Sequence, residues 1–420
     1  MPYFNCLNND DLILVIQSIG VYRERNSFRK KSKSTEKNPE SEENLLEHRT
    51  DGTDAFDTLY IGCEKFPQHD FYGYSAGGSE ITFITTSTNQ CICLTLQANK
   101  KNRMARYNKP PLNYSEQVKL LESRGLIIGN KKKAERLLAN ISDYRLSAYM
   151  LPYKVCMNGF IQDLFKDGTT LDMVYDLYKF DRKLRLLLFD SIERIEVAIR
   201  TQIVTQLSLK YGSHWQDNRS IFREPRQCRR RNGTTFTDDV FSDIQEHIQD
   251  RLRNDRSETF IQHYRETYSE PTNPPSWMSV EIMYFNQLSR ICDGLKQRAD
   301  IVGIAKYFSL PPKEFQSWLH ALNFIRNLCA HHARLWNRDM NIVPEKLEFS
   351  RTLTWISNPD TVRRNKVYYT LCMVNYFLQT VTPRSMFRKR LKVLLQQYAA
   401  VLDLSSMGFP EDWENEEMWK

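Results

Sequence analysis

Arginine, asparagine and histidine are concentrated in one stretch of the chain, Phe324-Ile325-Arg326-Asn327-Leu328-Cys329-Ala330-His331-His332-Ala333-Arg334-Leu335-Trp336-Asn337-Arg338. From Phe315 to Arg338 there is no lysine, aspartate or glutamate, although 26% of the 420 residues are charged. The polar chemistry that remains is guanidinium, imidazole and carboxamide. These groups suit an anionic partner such as a phosphate, and an imidazole can move protons near neutral pH without a metal. That composition fits a site that cleaves RNA without a metal ion.

On an ideal helix each residue advances about 100°. Phe315, Trp318, Leu319, Leu322, Ile325 and Cys329 then share one face, and His320, Asn323, Asn327 and His331 share another. Asn327 and His331 are neighbours one turn apart. Arg326 lands inside the apolar face, where an unpaired guanidinium is costly. It must reach solvent, find a partner, or sit where that face meets a second subunit or a substrate. His332 lies about 100° from His331 and points elsewhere.

The bare arginine–histidine spacing carries little. Arginine is common in this chain, so roughly one histidine in four has one five to seven positions upstream by accident, as His263 does with Arg256. What distinguishes residues 326–331 is the asparagine directly after the arginine, the absence of carboxylates, and the apolar opposite face.

The elements that position this stretch read almost entirely as helix. Ser115 caps a helix over 116–124 that Gly125 ends, and helices over 131–140 and 143–150 follow, with Pro152 as a stop. Thr170 starts a long helix running to Gly212, with Leu184, Leu187, Leu188, Ile192, Ile195 and Ile199 as a core-facing stripe. Residues 213–236 read as a basic loop holding Arg229-Arg230-Arg231. Helices near 238–254 and 258–268 precede the break at Pro271–Pro275. One helix is expected from Trp277 to about Lys296 and a short one over 299–308. Pro311-Pro312 launches the helix with the arginine–histidine stretch, and helices near 361–380 and 384–402 precede an acidic tail, 411–420. The fold class is therefore all-α, a helical bundle.

Residues 1–103 differ in character. They carry 12 Lys+Arg against 14 Asp+Glu, leaving 47 against 37 in the remainder, so the net charge of +8 resides entirely beyond Arg103. Helical periodicity is weak there, and Ile81-Thr-Phe-Ile-Thr-Thr reads as one short strand. The division is into a low-order N-terminal extension (1–103), an N-terminal helical region (104–165), a helical domain carrying the 326–332 motif (166–415) and the acidic tail. Met104 could be the natural start, with the extension not native, or 1–103 could be a genuine but weakly structured domain. Basic charge on the larger part favours a polyanionic partner. Nine cysteines without a CxxC pair argue against a disulfide framework or a zinc site and favour a reducing cytoplasm. No apolar run is long enough to span a bilayer. No metal and no cofactor are expected.

Several blocks resemble a known family. Arg326-Asn-Leu-Cys-Ala-His331 fits the R-x4–6-H motif of HEPN ribonucleases, and its context from Trp318 to Arg338 resembles the Abi-like proteins (AbiD/AbiF type) of bacterial abortive infection systems. Lys109-Pro-Pro-Leu, Gln117 to Gly125, Tyr144-Arg145-Leu-Ser-x-Tyr149, Tyr178-x-Phe180-Asp181-Arg182-x-Leu184-Arg185, Glu193-Arg-Ile-Glu196-x3-Arg200 and Met407-Gly-Phe-Pro-x-x-Trp413 resemble the family's blocks in order. The resemblance covers roughly 107–415 and leaves 1–103 outside it.

The resemblance implies a HEPN-like core and a toxin-type phage-defence effector, a metal-independent endoribonuclease. Two motifs, usually from two protomers, form one site, so a homodimer is implied, with RNA as substrate and room for an RNA or protein antitoxin. A ribose 2′-hydroxyl would attack the adjacent phosphate. His331 would be base or acid, with His332 as the alternative; Arg326 would stabilise the phosphorane, and Asn327 would orient the phosphate or the arginine. Ala333 stands where members silenced by nucleotide transfer carry tyrosine, so that control is not implied. A second reading is a non-catalytic RNA-binding or oligomerising module on the same scaffold.

Elsewhere, Glu196 and Arg200 form an i,i+4 pair that either stabilises one helix or braces Arg326 across the bundle. Arg334 is a further supporting candidate. Arg229, Arg230 and Arg231 are either a solvated loop or an RNA-backbone contact.

Overall fold

The computed structural model describes residues 108–420 except 158, 231 and 254–257, together with the backbone of four strands between residues 58 and 97. The chain forms two units, Met1–Pro110 and Pro111–Lys420. In the first, β1 (Thr58–Ile61), β2 (Asp70–Ala76), β3 (Glu80–Ser87) and β4 (Gln90–Gln97) make an antiparallel meander. The alternating Ile81–Thr86 segment is the heart of β3, with Ile84 opposite Tyr72 on one side and Cys93 on the other. Glycine and polar residues dilute the alternation in β2, which hid the neighbouring strands. The low order expected for the rest of 1–103 falls outside the described residues.

The second unit is helical, with two small hairpins. Its first helix, α1 (Tyr114–Ser123), begins two residues earlier than expected. Asn113, not Ser115, is the cap: its side chain accepts from the Glu116 N–H at 2.9 Å while Glu116 accepts from the Asn113 N–H at 2.8 Å. Helices α2 (Lys131–Ile141) and α3 (Asp143–Met150) lead into a hairpin of β5 (Lys154–Met157) and β6 (Phe160–Phe165).

Helix α4 (Leu171–Tyr211) is the spine of the bundle. Its 41 residues give a length of about 60 Å. Thr170 caps it by accepting from the Met173 N–H, and Gly212 ends it at φ 90°, a backbone region that suits glycine. Leu177, Leu184, Leu188, Ile192, Ile195 and Ile199 are buried, as the periodicity requires. Asp181 and Arg185 are buried on the same helix, an exception to that pattern that matters below.

After α4, the expected basic loop is partly a hairpin, β7 (Arg226–Arg229) and β8 (Thr235–Asp238). Short strands with one face open to solvent show no apolar alternation to read. Helices α5 (Val240–Arg253) and α6 (Thr259–Thr267) follow. The single helix expected from Trp277 is two, α7 (Ser276–Ser279) and α8 (Phe285–Gly294). Between them the Arg200 guanidinium donates to the carbonyls of Val280 and Met283, so side-chain bonds replace the helical ones and the chain turns. Helix α9 (Arg298–Tyr307) precedes α10 (Pro312–Ala330), which carries the arginine–histidine stretch.

Helix α11 (Val367–Val381) is buried without interruption from Val367 to Leu378. Helices α10, α11 and the last helix, α12 (Phe387–Gln397), all pack on α4. The acidic tail does not project: Trp413, Met418 and Trp419 are buried, and the Asn375 amide donates to the Met418 carbonyl at 2.7 Å. Among the described residues, no helix is long and apolar enough to cross a membrane.

Candidate active site

Pro312 fits the first turn of α10, where its missing N–H costs nothing. Phe315, Trp318, Leu319, Leu322, Ile325 and Cys329 are buried, which fixes the rotation of the helix. Cys329 belongs to that core: burial pushes its thiol up to about 12, so it is no nucleophile. The helix stops at Ala330. The His332 N–H donates to the Cys329 carbonyl at 3.2 Å, and the Ala333 N–H to the Leu328 carbonyl at 2.9 Å. These are the two bonds of a Schellman cap, and the position that glycine usually takes is occupied by His332 at φ 56°.

The ideal-helix projection of the histidines therefore needs correction at its end. His331 is the C-cap residue; its N–H still reaches the Asn327 carbonyl at 2.9 Å, so it remains one turn above Asn327. His332 leaves the helix direction altogether. Both side chains are exposed. A non-glycine residue in the left-handed region costs about 1–2 kcal/mol. Substituting His332→Gly is therefore expected to stabilise the chain by about 1 kcal/mol, read as a higher urea midpoint. A lower midpoint would mean that the His332 ring makes a contact worth more than the strain.

Arg326 resolves its position on the apolar face by pairing. Its Nε lies 4.0 Å from Glu196 Oε2 on α4, its guanidinium sits over the Phe189 ring at 5.8 Å, and one Nη donates to Asn327 Oδ1 at 3.4 Å. Its side chain still keeps 35% of its surface open. Glu196 is held on its other side by Arg200, at 3.1 Å. Burial raises the Glu196 carboxyl above the usual range, opposed first by Arg200 and then by Arg326. Of the two expected braces, Glu196 meets Arg326 directly, while Arg200 acts on Glu196 and on the turn before α8.

The carboxylate missing from the motif's own sequence is supplied from beneath. Asp181 is fully buried, and its Oδ1 accepts the N–H groups of Leu335 (3.1 Å) and Trp336 (2.6 Å). Its Oδ2 accepts from Tyr149 Oη at 2.5 Å and from Arg185. Arg185 also donates to the Ala333 carbonyl at 3.3 Å, and Arg145 to the His332 carbonyl at 2.7 Å. Four hydrogen bonds from three side chains, Asp181, Arg185 and Arg145, thus pin the backbone from His332 to Trp336, immediately after His331. The readable signal was an acid and a base four residues apart inside the apolar stripe of α4.

The remaining candidates lie apart. Arg334 turns to the Asn337 carbonyl at 3.3 Å and over the Trp336 ring at 6.0 Å. Arg229 and Arg230 are exposed on the β7–β8 hairpin, Arg230 over the Phe236 ring at 4.9 Å, and neither meets the motif. Arg231 is outside the described residues. No cluster of three or more His, Cys, Asp or Glu suited to a metal occurs among the described residues.

The stretch that holds these groups, from α2 to the Leu335–Asn337 turn, has a counterpart among known proteins. Residues 136–337 match the model of the Abi-like protein family. No curated protein and no solved structure matches the chain. The Abi-like segment includes Arg145, Tyr149, Asp181, Arg185, Glu196, Arg200 and the whole of residues 326–336. Helices α11 and α12 and the packed tail lie beyond it.

Proposed function

We propose that this chain is an abortive-infection effector that cleaves RNA without a metal ion, in a site completed by a second copy. The observation that carries this reading is the half-open Arg326 guanidinium, steadied by Glu196, Phe189 and Asn327 at the end of a helix that presents His331 to solvent. A fixed guanidinium with free donors is suited to the non-bridging oxygens of a phosphorane. An imidazole at the same phosphate can take the proton of a ribose 2′-hydroxyl as O2′ attacks phosphorus and the P–O5′ bond breaks. The products are a cyclic 2′,3′-phosphate and a 5′-hydroxyl, whose oxygen takes up a proton from a second acid. One chain offers one such histidine, one turn above Asn327; the His331 of a second copy would supply the other role, which makes a homodimer part of the proposal.

Purified protein incubated with RNA in EDTA is expected to produce cyclic-phosphate ends. The His331→Ala variant should be slower by about 10²–10⁴-fold. Intact RNA with the wild-type protein would overturn the reading in favour of a non-catalytic RNA-binding module, and cleavage that stops with EDTA would overturn the metal-free mechanism. His332→Gly should keep its activity; loss there would transfer the proton-carrying role to His332.

A further inference from the structure

Helix α12 carries Arg388, Lys389, Arg390 and Lys392 within five residues, while its Phe387, Leu391, Leu394 and Leu395 are buried. The cations are therefore turned away from that core, and two of them, Lys389 and Arg390, border a trough between α12 and α4. Two adjoining concavities of about 420 and 370 Å³ share Leu187, Met386 and Arg390, so the trough is continuous.

Five cations line it, Lys183, Arg194, Arg384, Lys389 and Arg390, against one carboxylate, Asp190. Asp190 already pairs with Arg194 and with Arg390. Lys183 donates to Gln397 at 3.0 Å. Arg384 and Lys389 form no ion pair among the described residues. Between the cations lie Leu186, Met386 and Val393, each more than half exposed.

We propose that this trough binds single-stranded RNA, with phosphates along the cationic rim and base faces against Leu186, Met386 and Val393. It follows α4 from Lys183 to Arg194, about 16 Å, which suits an extended polyanion. A second copy of the chain is a poorer occupant, because a stable interface buries about 800 Å² per partner around an apolar centre, and three side chains supply none. A lipid surface is poorer still, because the apolar atoms lie in a concavity and do not project. Phe189, which carries the Arg326 guanidinium, is about 60° around α4 from Leu186, so trough and candidate active site occupy neighbouring faces of one helix. The proposal shares its ligand class with the ribonuclease reading but does not require cleavage.

The test is fluorescence anisotropy of a labelled single-stranded RNA on full-length protein carrying His331→Ala. Adding R384E/K389E is expected to weaken binding by about tenfold or more and to flatten the slope of log K against log salt by about 1.4, two phosphate contacts' worth. The control K119E/K132E changes net charge equally at exposed lysines of α1 and α2 and should leave most of the affinity. Circular dichroism should show all variants equally folded. Equal losses in both double variants, or no loss in either, would overturn the trough. So would unchanged RNA affinity accompanied by lost self-association or lost binding to phosphatidylserine vesicles. Because binding is read directly, a chain that cleaves nothing can still pass this test, and one that cleaves normally can fail it.

Discussion

Asp181→Ala is expected to destabilise the chain strongly, by about 3–5 kcal/mol. Asp181 is fully buried, and Arg185 beside it has only 5% of its side chain exposed. Removing the carboxylate leaves a buried guanidinium without a counter-charge, two backbone N–H groups without acceptors, and the Tyr149 hydroxyl without its partner. Urea denaturation followed by circular dichroism measures the loss. The double variant D181A/R185A separates the contributions. It removes the stranded charge but leaves the N–H groups of Leu335 and Trp336 unsatisfied, so it should recover only part of the stability. Full recovery would mean that Asp181 serves Arg185 alone and does not hold the turn after His331. In the residual folded population, RNA cleavage should also fall, because the backbone beside His331 loses its anchor.

Arg326→Ala is expected to lower the rate of RNA cleavage by about 10²–10³-fold, the usual effect of removing one fixed donor from a developing anion. Its effect on stability should be small, about 0–1 kcal/mol, because the side chain is a third exposed and its ion pair with Glu196 is long. Arg326→Lys keeps the charge but has no planar fork, so it should restore little of the rate. The separation between a large kinetic loss and a small stability loss is the informative result. Wild-type rates in R326A would remove the arginine from the chemistry, while a stability loss of several kcal/mol would make it a structural residue. Glu196→Gln should fall between: Phe189 and Asn327 still hold the guanidinium, but its charged brace is gone.

Much of the bundle was legible residue by residue. Thr170 and Gly212 bounded α4 correctly, because a hydroxyl that accepts from the first turn and a glycine at positive φ are local requirements. The errors have separate causes. The helix expected from Trp277 to Lys296 breaks because Arg200, about eighty positions earlier, takes the carbonyls of Val280 and Met283. The one-turn separation of Asn327 and His331 was legible from a spacing of four, yet the departure of His332 was not, since nothing in the sequence marks a histidine in the place where glycine usually ends a helix.

The sequence by itself determined the helical class, the burial of one face of α10, and the grouping of Arg326, Asn327 and His331 near one helix end. Periodicity and composition act over a few residues, and those features need nothing further. The absence of carboxylates from Phe315 to Arg338 was also real, but it described only the chain, not the site. Tertiary structure placed Glu196 beside Arg326 and Asp181 beneath the following turn, the latter from 154 positions away. A buried charge must find its partner wherever packing brings one, and local spacing carries no record of a partner on another helix. That is why the residues that could do chemistry were visible in the sequence, and the residues that hold them still became visible only in the fold.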